Sequence, residues 1–204
     1  MSKALAETPS KSDADSTPIP PRERILTVAR ELFYRHGVHA VGVELIAEAA
    51  QTNKMTLYRH FKSKDELVVA YARGLAEDGD ALWKRLATTF PDDPGKRLNA
   101  WVDHVEEILT SSAERGCALA NAAVELQADH PARTVIEDYK RRKRSHLVEL
   151  FRDSRYHNPE LLADEVFLLF EGARISIQCG GREPALRVVE MLRDLLARAP
   201  RDAT

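Results

Sequence analysis

The sequence predicts an all-α fold in which three short N-terminal helices precede a larger helical unit. Three observations predict it. Apolar residues recur at three- and four-residue spacing from residue 22 almost to the end. No segment sustains the period-2 alternation of a strand. Prolines and several glycines, such as Pro91, Pro94, Gly116, Pro131, Pro159, Gly180 and Gly181, punctuate the periodic segments.

Residues 1–21 read as a disordered tail, with Pro9, Pro18, Pro20 and Pro21 among many Ser and Thr and few large apolar side chains to offset ordering entropy. A first helix starts at 22, with Ile25, Val28, Ala29, Leu32, Phe33 and His36 on one face and Gly37 set to end it in a left-handed conformation. A second runs over about 43–50 with Val43, Ile46, Ala47 and Ala50 inward. After a break at 51–53, Asn53 caps a third helix to about 61, whose Leu57 and Phe61 face the core one turn apart. Ser63 caps the next, with Glu66 completing a capping box. Longer helices follow at about 63–90, 95–113, 118–129, 132–156, 159–179 and 184–198.

Composition narrows the function. Of 204 residues, 44% are hydrophobic and 30% charged, the balance of a globular chain. The longest strongly apolar run, 166–170, is far short of a membrane span, so no membrane association is expected. Two cysteines cannot build a disulfide framework and the N-terminus shows no apolar signal core; both point to the cytoplasm. A net charge of −2 argues against indiscriminate coating of nucleic acid. The charge is uneven, however: residues 22–66 carry eight basic and six acidic residues, and 51–64 hold Lys54, Arg59, Lys62 and Lys64 with no acid.

Two short helices joined by three residues, the second polar on its outer face, have the geometry of a helix-turn-helix. The second helix must enter the major groove of DNA, where base edges are readable, while an apolar contact with the first holds it. Ile46 and Ala50 facing Leu57 and Phe61 supply that contact, and the small Ala47 permits close approach.

The run Arg24, Ile25, Leu26, Ala29, Leu32, Phe33, Gly37, Ile46, Ala47, Thr56, Leu57, Tyr58, His60, Phe61, Ser63, Lys64 and Leu67 resembles the tetracycline-repressor (TetR) family of bacterial regulators. The resemblance covers roughly 22–70; beyond it the likeness is one of architecture, with Arg115, Gly116, Cys117, Asn121, Glu125, His130 and Pro131 similar to one subgroup's effector domain. It implies a DNA-binding domain at 22–66 and an effector-binding and dimerisation domain at 67–204. It also implies a homodimeric regulator, usually a repressor, released from a double-stranded, palindromic operator by a small molecule. Carried over by position, Lys54, Met55 and Tyr58 face base edges, Thr56, Tyr58, His60 and Lys64 hold phosphates, and Asn53, which opens the recognition helix, counts with them as DNA-binding. The chain departs from the family pattern at Gln51, where a turn Gly is usual, at Asn53, where Ser is usual, and at Val41 and Gly42, where a hydroxyl is usual.

Other residues carry weaker signals. The five charges at 140–144 wrap more than a full turn and are expected on a solvated helix. His104 with Glu107 and His146 with Glu149 have a spacing that suits two metal ligands, but no HExxH or CxxC accompanies them, and no metal or cofactor is expected. Cys117, between Gly116 and Ala118, is expected as a buried small hydrophobe. No GxSxG, GxGxxG or phosphate loop is present, so no catalytic residue is assigned and no enzyme is expected.

The last two helices carry too wide an apolar arc for one interface. Leu162, Val166, Leu169, Ala173 and Ile177 form one stripe, and Leu161, Leu168 and Ile175 another at heptad spacing. The final helix adds Leu186, Val188, Val189, Met191, Leu192, Leu195 and Leu196. One side packs inward and the other on a twofold mate, so residues 159–198 are expected to hold a homodimer. An effector pocket is expected among the helices between 63 and 156, with Tyr71, Trp83, Trp101, His104, Asn121 and Glu125 as candidate lining. The alternative to a ligand-responsive regulator is a helical interaction module whose short basic helix binds an acidic partner protein.

Overall fold

The computed structural model describes residues 19–111 and 115–202, so the expected tail lies almost wholly outside the described residues. Ten helices follow one another there: α1 (Pro21–His36), α2 (Val43–Ala49), α3 (Lys54–His60), α4 (Lys64–Thr89), α5 (Pro94–Thr110), α6 (Ala118–Glu125), α7 (Pro131–Asp153), α8 (Pro159–Gln178), α9 (Arg182–Leu186) and α10 (Val188–Arg198). Among the described residues no strand forms; one antiparallel bridge, Tyr156 with Arg201, ties the chain's last turn to the α7–α8 loop. No described helix is long and apolar enough to cross a membrane.

Sequence punctuation sets most helix ends. Pro21, Pro94, Pro131 and Pro159 stand at the first helical position, where the missing N–H costs nothing. Asp93 and Ser63 accept the N–H of Lys96 and Glu66 as N-caps. Glu66 reaches back to the N–H of Lys62, one residue before the usual target of a capping box. Three expectations change. Residues 184–198 are two helices, broken at Arg187. The helix expected over 118–129 stops at Glu125, and His36 is exposed in the last turn of α1, where a cation suits the helix dipole. Gly37 has positive φ (+88°) with an extended ψ of 158°, a conformation open mainly to glycine; a Cβ there would sit 2.6 Å from the Glu125 carboxylate.

Two apolar cores lie along the chain, and α4 takes part in both. The first gathers Ile25, Ala29 and Phe33 of α1, Ile46 of α2, Leu57 of α3, Leu67, Val68 and Tyr71 of α4, and Leu119 and Ala122 of α6. The second joins Leu82 and Leu86 of α4 with Trp101 of α5, Leu147 and Phe151 of α7, Val166 and Phe170 of α8, and Leu192 of α10. The division expected between 66 and 67 falls at the start of α4, and the first core draws on both sides of it.

The charged run at 140–144 departs from expectation. Lys143 is only 7% exposed and Lys140 is half-buried, and both reach Glu171 of α8, at 2.9 Å for Lys143. Five charges do wrap the helix, but two of them fall on its inward stripe between Ile136 and Leu147 and are neutralised there rather than solvated. Burial alone would raise the Glu171 carboxyl; the two ammoniums outweigh it and hold the group down at about 2. Lys143 itself is pushed down to about 8 by desolvation, against the pull of Glu171. Cys117 is buried as expected, but its surroundings are charged: Lys140 Nζ lies 3.6 Å from its sulfur. Burial raises that thiol while Arg174 and Lys140 lower it, and the net shift is downward.

Candidate nucleic-acid interface

Helix α3 has two unlike faces. Leu57 (0% exposed) and the following Phe61 (1%) insert against Ile46, Ala47 and Ala50, all buried. The Asn53 side chain accepts the Thr56 N–H at 2.9 Å, closing the N-terminus of α3 and engaging that oxygen within the protein. The α2–α3 turn is closed by Thr52 N–H donating to the Ala47 carbonyl, which puts Gln51 in the left-handed region at φ +52°. The residue at the usual glycine position thus keeps a glycine-like backbone.

The outer face of α3 is open. Met55 is 83% exposed and Tyr58 38%, both large side chains left open at the surface. Lys54, at the tip, is exposed and its ammonium lies 2.5 Å from the Glu44 carboxylate of α2 and 5.9 Å from the Tyr58 ring. Hydrogen bonding between them lowers the Glu44 carboxyl and raises the Lys54 ammonium relative to their ordinary values. Thr56 is half-buried; so is His60, whose Nε2 is enclosed without a partner among the described residues. Lys64 is the first residue of α4, half-buried, and donates to the His39 carbonyl at 3.4 Å. The loop before α2 is pinned from the other side, since His39 N–H donates to the Glu125 carboxylate at 2.9 Å.

The residues expected to line an effector pocket do not meet in one cavity. Trp83 and Trp101 stack at 6.4 Å, and the His146 ring lies 5.0 Å from Trp83. Trp101 is core, however, at 2% exposed. Tyr71 is equally buried, in the first core, edge-on to Phe33, and desolvation pushes its phenol up to about 12. His104 pairs with Glu107; Asn121 donates to the Arg115 carbonyl; Glu125 holds His39. Among the six, Trp83 borders a cleft of about 430 Å³ between α4, α5 and α7, with Leu86, Arg97, Arg142, His146 and Leu150 around it. Arg142, exposed as expected for 140–144, and His146, half-buried one turn after Lys143, border this cleft although neither was a candidate lining residue.

With this geometry in place, comparison with known proteins is decisive for the N-terminal unit. The family described as "Bacterial regulatory proteins, tetR family" matches residues 25–71, which hold most of α1, all of α2 and α3 with their turn, and the first turns of α4. Residues 25–71 belong to the TetR family. The HTH-type transcriptional regulator UidR of Escherichia coli (strain K12) is 41% identical over 51 residues, 25% of this chain and 26% of that protein. The HTH-type transcriptional activator FasR of Mycolicibacterium smegmatis is 45% identical over 49 residues, 24% of this chain and 22% of that protein. The chain thus matches about a quarter of the length of these curated relatives. A solved TetR-family transcriptional regulator from Streptomyces coelicolor is 28% identical, with a TM-score of 0.75 over 86% of this chain and 95% of its own. The TetR likeness in fold therefore extends through the second helical unit, while the sequence match is concentrated in residues 25–71.

Proposed function

We propose that this TetR-family chain is a cytoplasmic transcriptional repressor that binds a near-palindromic operator as a homodimer and leaves it when a small molecule binds the 67–204 unit. The observation that carries the reading is the outer face of α3: Lys54, Met55 and Tyr58 stand exposed on a short helix whose opposite face is locked by Leu57 and Phe61. An aromatic, a methionine and a lysine so arranged suit base edges and a thymine methyl in the major groove. Thr56, His60 and Lys64 flank them on the phosphate side, and Asn53 fixes the helix start.

Dimerisation is supported by α8. Its buried stripe, Leu162, Val166 and Ala173, faces the second core, while Leu161, Leu168 and Ile175 are 58%, 68% and 58% exposed at seven-residue spacing. An open apolar groove runs beside them, bordered by Leu169, Gly172, Val188 and Leu195. A second copy of α8 fits such a seam, as a twofold interface requires. The cleft bordered by Trp83 is the site we assign to the effector. An effector that binds better to the arrangement with mismatched α3 spacing lowers operator affinity by that preference.

Selection of bound sequences from random DNA, followed by gel shift of the selected site, tests the reading. The expected result is a pseudo-palindrome with half-sites about one helical turn apart, or a multiple of it. Equal retardation of every DNA, or none, would overturn it. A reporter driven by the selected site distinguishes repression from the activation named for FasR.

A further inference from the structure

We infer that Glu44 is a specificity-determining positioning residue, which holds the Lys54 ammonium across the tip of α3 and keeps it from acting as a free phosphate-binding charge. The inference rests on the DNA-binding reading above. Lys54 is the first residue of α3 and Glu44 the second of α2, so the turn brings a carboxylate from the bracing helix onto the lysine best placed to read a base. The ammonium lies 2.5 Å from Glu44 Oε1, and both side chains are more than half exposed. Tyr58 stands on the other side, its ring 5.9 Å from the same nitrogen.

At a protein surface such a pair adds little to stability. On a DNA-facing surface its effect is different. Phosphate attraction is independent of sequence and supplies nearly all non-specific affinity. A lysine neutralised in place adds little to it. The ammonium has three donors, so it can keep the Glu44 oxygen and still donate to a base acceptor such as guanine O6 or N7. Held by Glu44 and flanked by the Tyr58 ring, it also has fewer rotamers to lose on binding. Sequences without an acceptor at that position would leave the pair unrewarded and bring a carboxylate near the duplex. Glu44 therefore sharpens discrimination by lowering affinity for wrong DNA.

The competing role is purely structural. Glu44 also accepts its own backbone N–H in the first turn of α2, so its loss could loosen the helix. The readouts must be ones that loosening does not produce. Binding of the full-length dimer to its selected operator and to a scrambled duplex is measured across a salt series, for wild type, Glu44→Gln and Glu44→Asp, with thermal melting of each. For Glu44→Gln the expected result is an unchanged fold and non-specific affinity stronger by about tenfold. The salt dependence for scrambled DNA should be steeper by about two, one released counterion per protomer. The operator-to-scrambled ratio should fall by about tenfold, and Glu44→Asp, which keeps the carboxylate, should restore part of it. An unchanged ratio and slope, or weaker binding to both DNAs in step with a lower melting temperature, would overturn the inference. If wild type itself does not distinguish operator from scrambled DNA, the DNA-binding reading fails first, and that outcome is recognisable before any variant is made.

Discussion

The buried charge cluster at the α7–α8 interface makes a prediction that opposes the intuition that both halves of a salt bridge matter equally. Among the described residues, Glu171 pairs with both Lys140 and Lys143. Glu171→Gln leaves two ammoniums, one only 7% exposed, without a counter-charge. Breaking a buried pair in this way costs about 3–5 kcal/mol. In Lys143→Met, by contrast, Glu171 keeps Lys140, and the new side chain retains the packing against Phe170, whose ring centre lies 4.1 Å from the present Nζ. The lysine carries its own penalty. Its value falls from 10.5 to about 8, so the folded state disfavours the charged form by roughly 3 kcal/mol at neutral pH, at about 1.36 kcal/mol per unit. Losing it should therefore not destabilise the fold at neutral pH, the relieved penalty setting the upper bound on any gain. Thermal melts at one protein concentration should show Glu171→Gln lower by about 10 °C and Lys143→Met at or above wild type.

The pH dependence supplies the sign. A lysine with a lowered folded value burdens the fold fully below about 8, and the burden disappears as pH rises to 10.5. Wild type should gain stability relative to Lys143→Met across that window. Glu171, lowered to about 2 from 4.5, contributes stability that is complete above 4.5 and is lost as pH falls toward 2. Equal destabilisation by the two substitutions, or a wild-type advantage that does not change between pH 8 and 10.5, would refute the reasoning.

Three further outcomes follow from particular positions. Gln51→Gly should raise stability by about 0.5–1 kcal/mol, read by denaturant unfolding, because the left-handed backbone at φ +52° costs a side-chain-bearing residue roughly 1–2 kcal/mol, part of which glycine returns through unfolded-state entropy. Lys64→Ala should weaken binding to all DNA sequences about equally and flatten the salt dependence by about one per protomer; loss confined to the operator would contradict the phosphate role. Leu168→Glu should leave the protomer folded, since that side chain is 68% exposed, yet give monomers by sedimentation and abolish operator binding; a wild-type monomer at micromolar concentration would remove the dimer assignment.

The contrast between what the sequence reveals and what it conceals follows from the kind of signal each residue emits. Helix existence was legible because Pro at the first helical position, side-chain caps at Asn53 and Ser63, and three- and four-residue apolar spacing are all local. The two stripes of α8 were legible for the same reason: Leu162, Val166 and Ala173 are buried while Leu161, Leu168 and Ile175 are open. Sequence alone does not separate Leu168 from Leu192 as surface positions: Leu192 is fully buried in the second core, whereas Leu168 is open. Residue type does not say which core a side chain enters: Tyr71 packs in the first core and Trp101 in the second.

The cluster around Glu171 was concealed by a rule applied one step too early. Five consecutive charges at 140–144 mask the fact that Ile136, Lys140, Lys143 and Leu147 continue the inward spacing of α7 without interruption. Burial is decided by the period of the helix, and a charge at an inward position is a question about its partner. Here the partner is 28 residues from Lys143, on the next helix, where Glu171 follows the buried Phe170. The same logic links the two cation pairs that matter most. Lys143 meets Glu171 in a dry interface, where the pair is weighed against desolvation and sets stability. Lys54 meets Glu44 in water, where the pair is nearly worthless for stability and its consequence appears only when a polyanion approaches. One contact geometry thus serves two ends, and solvent exposure decides which.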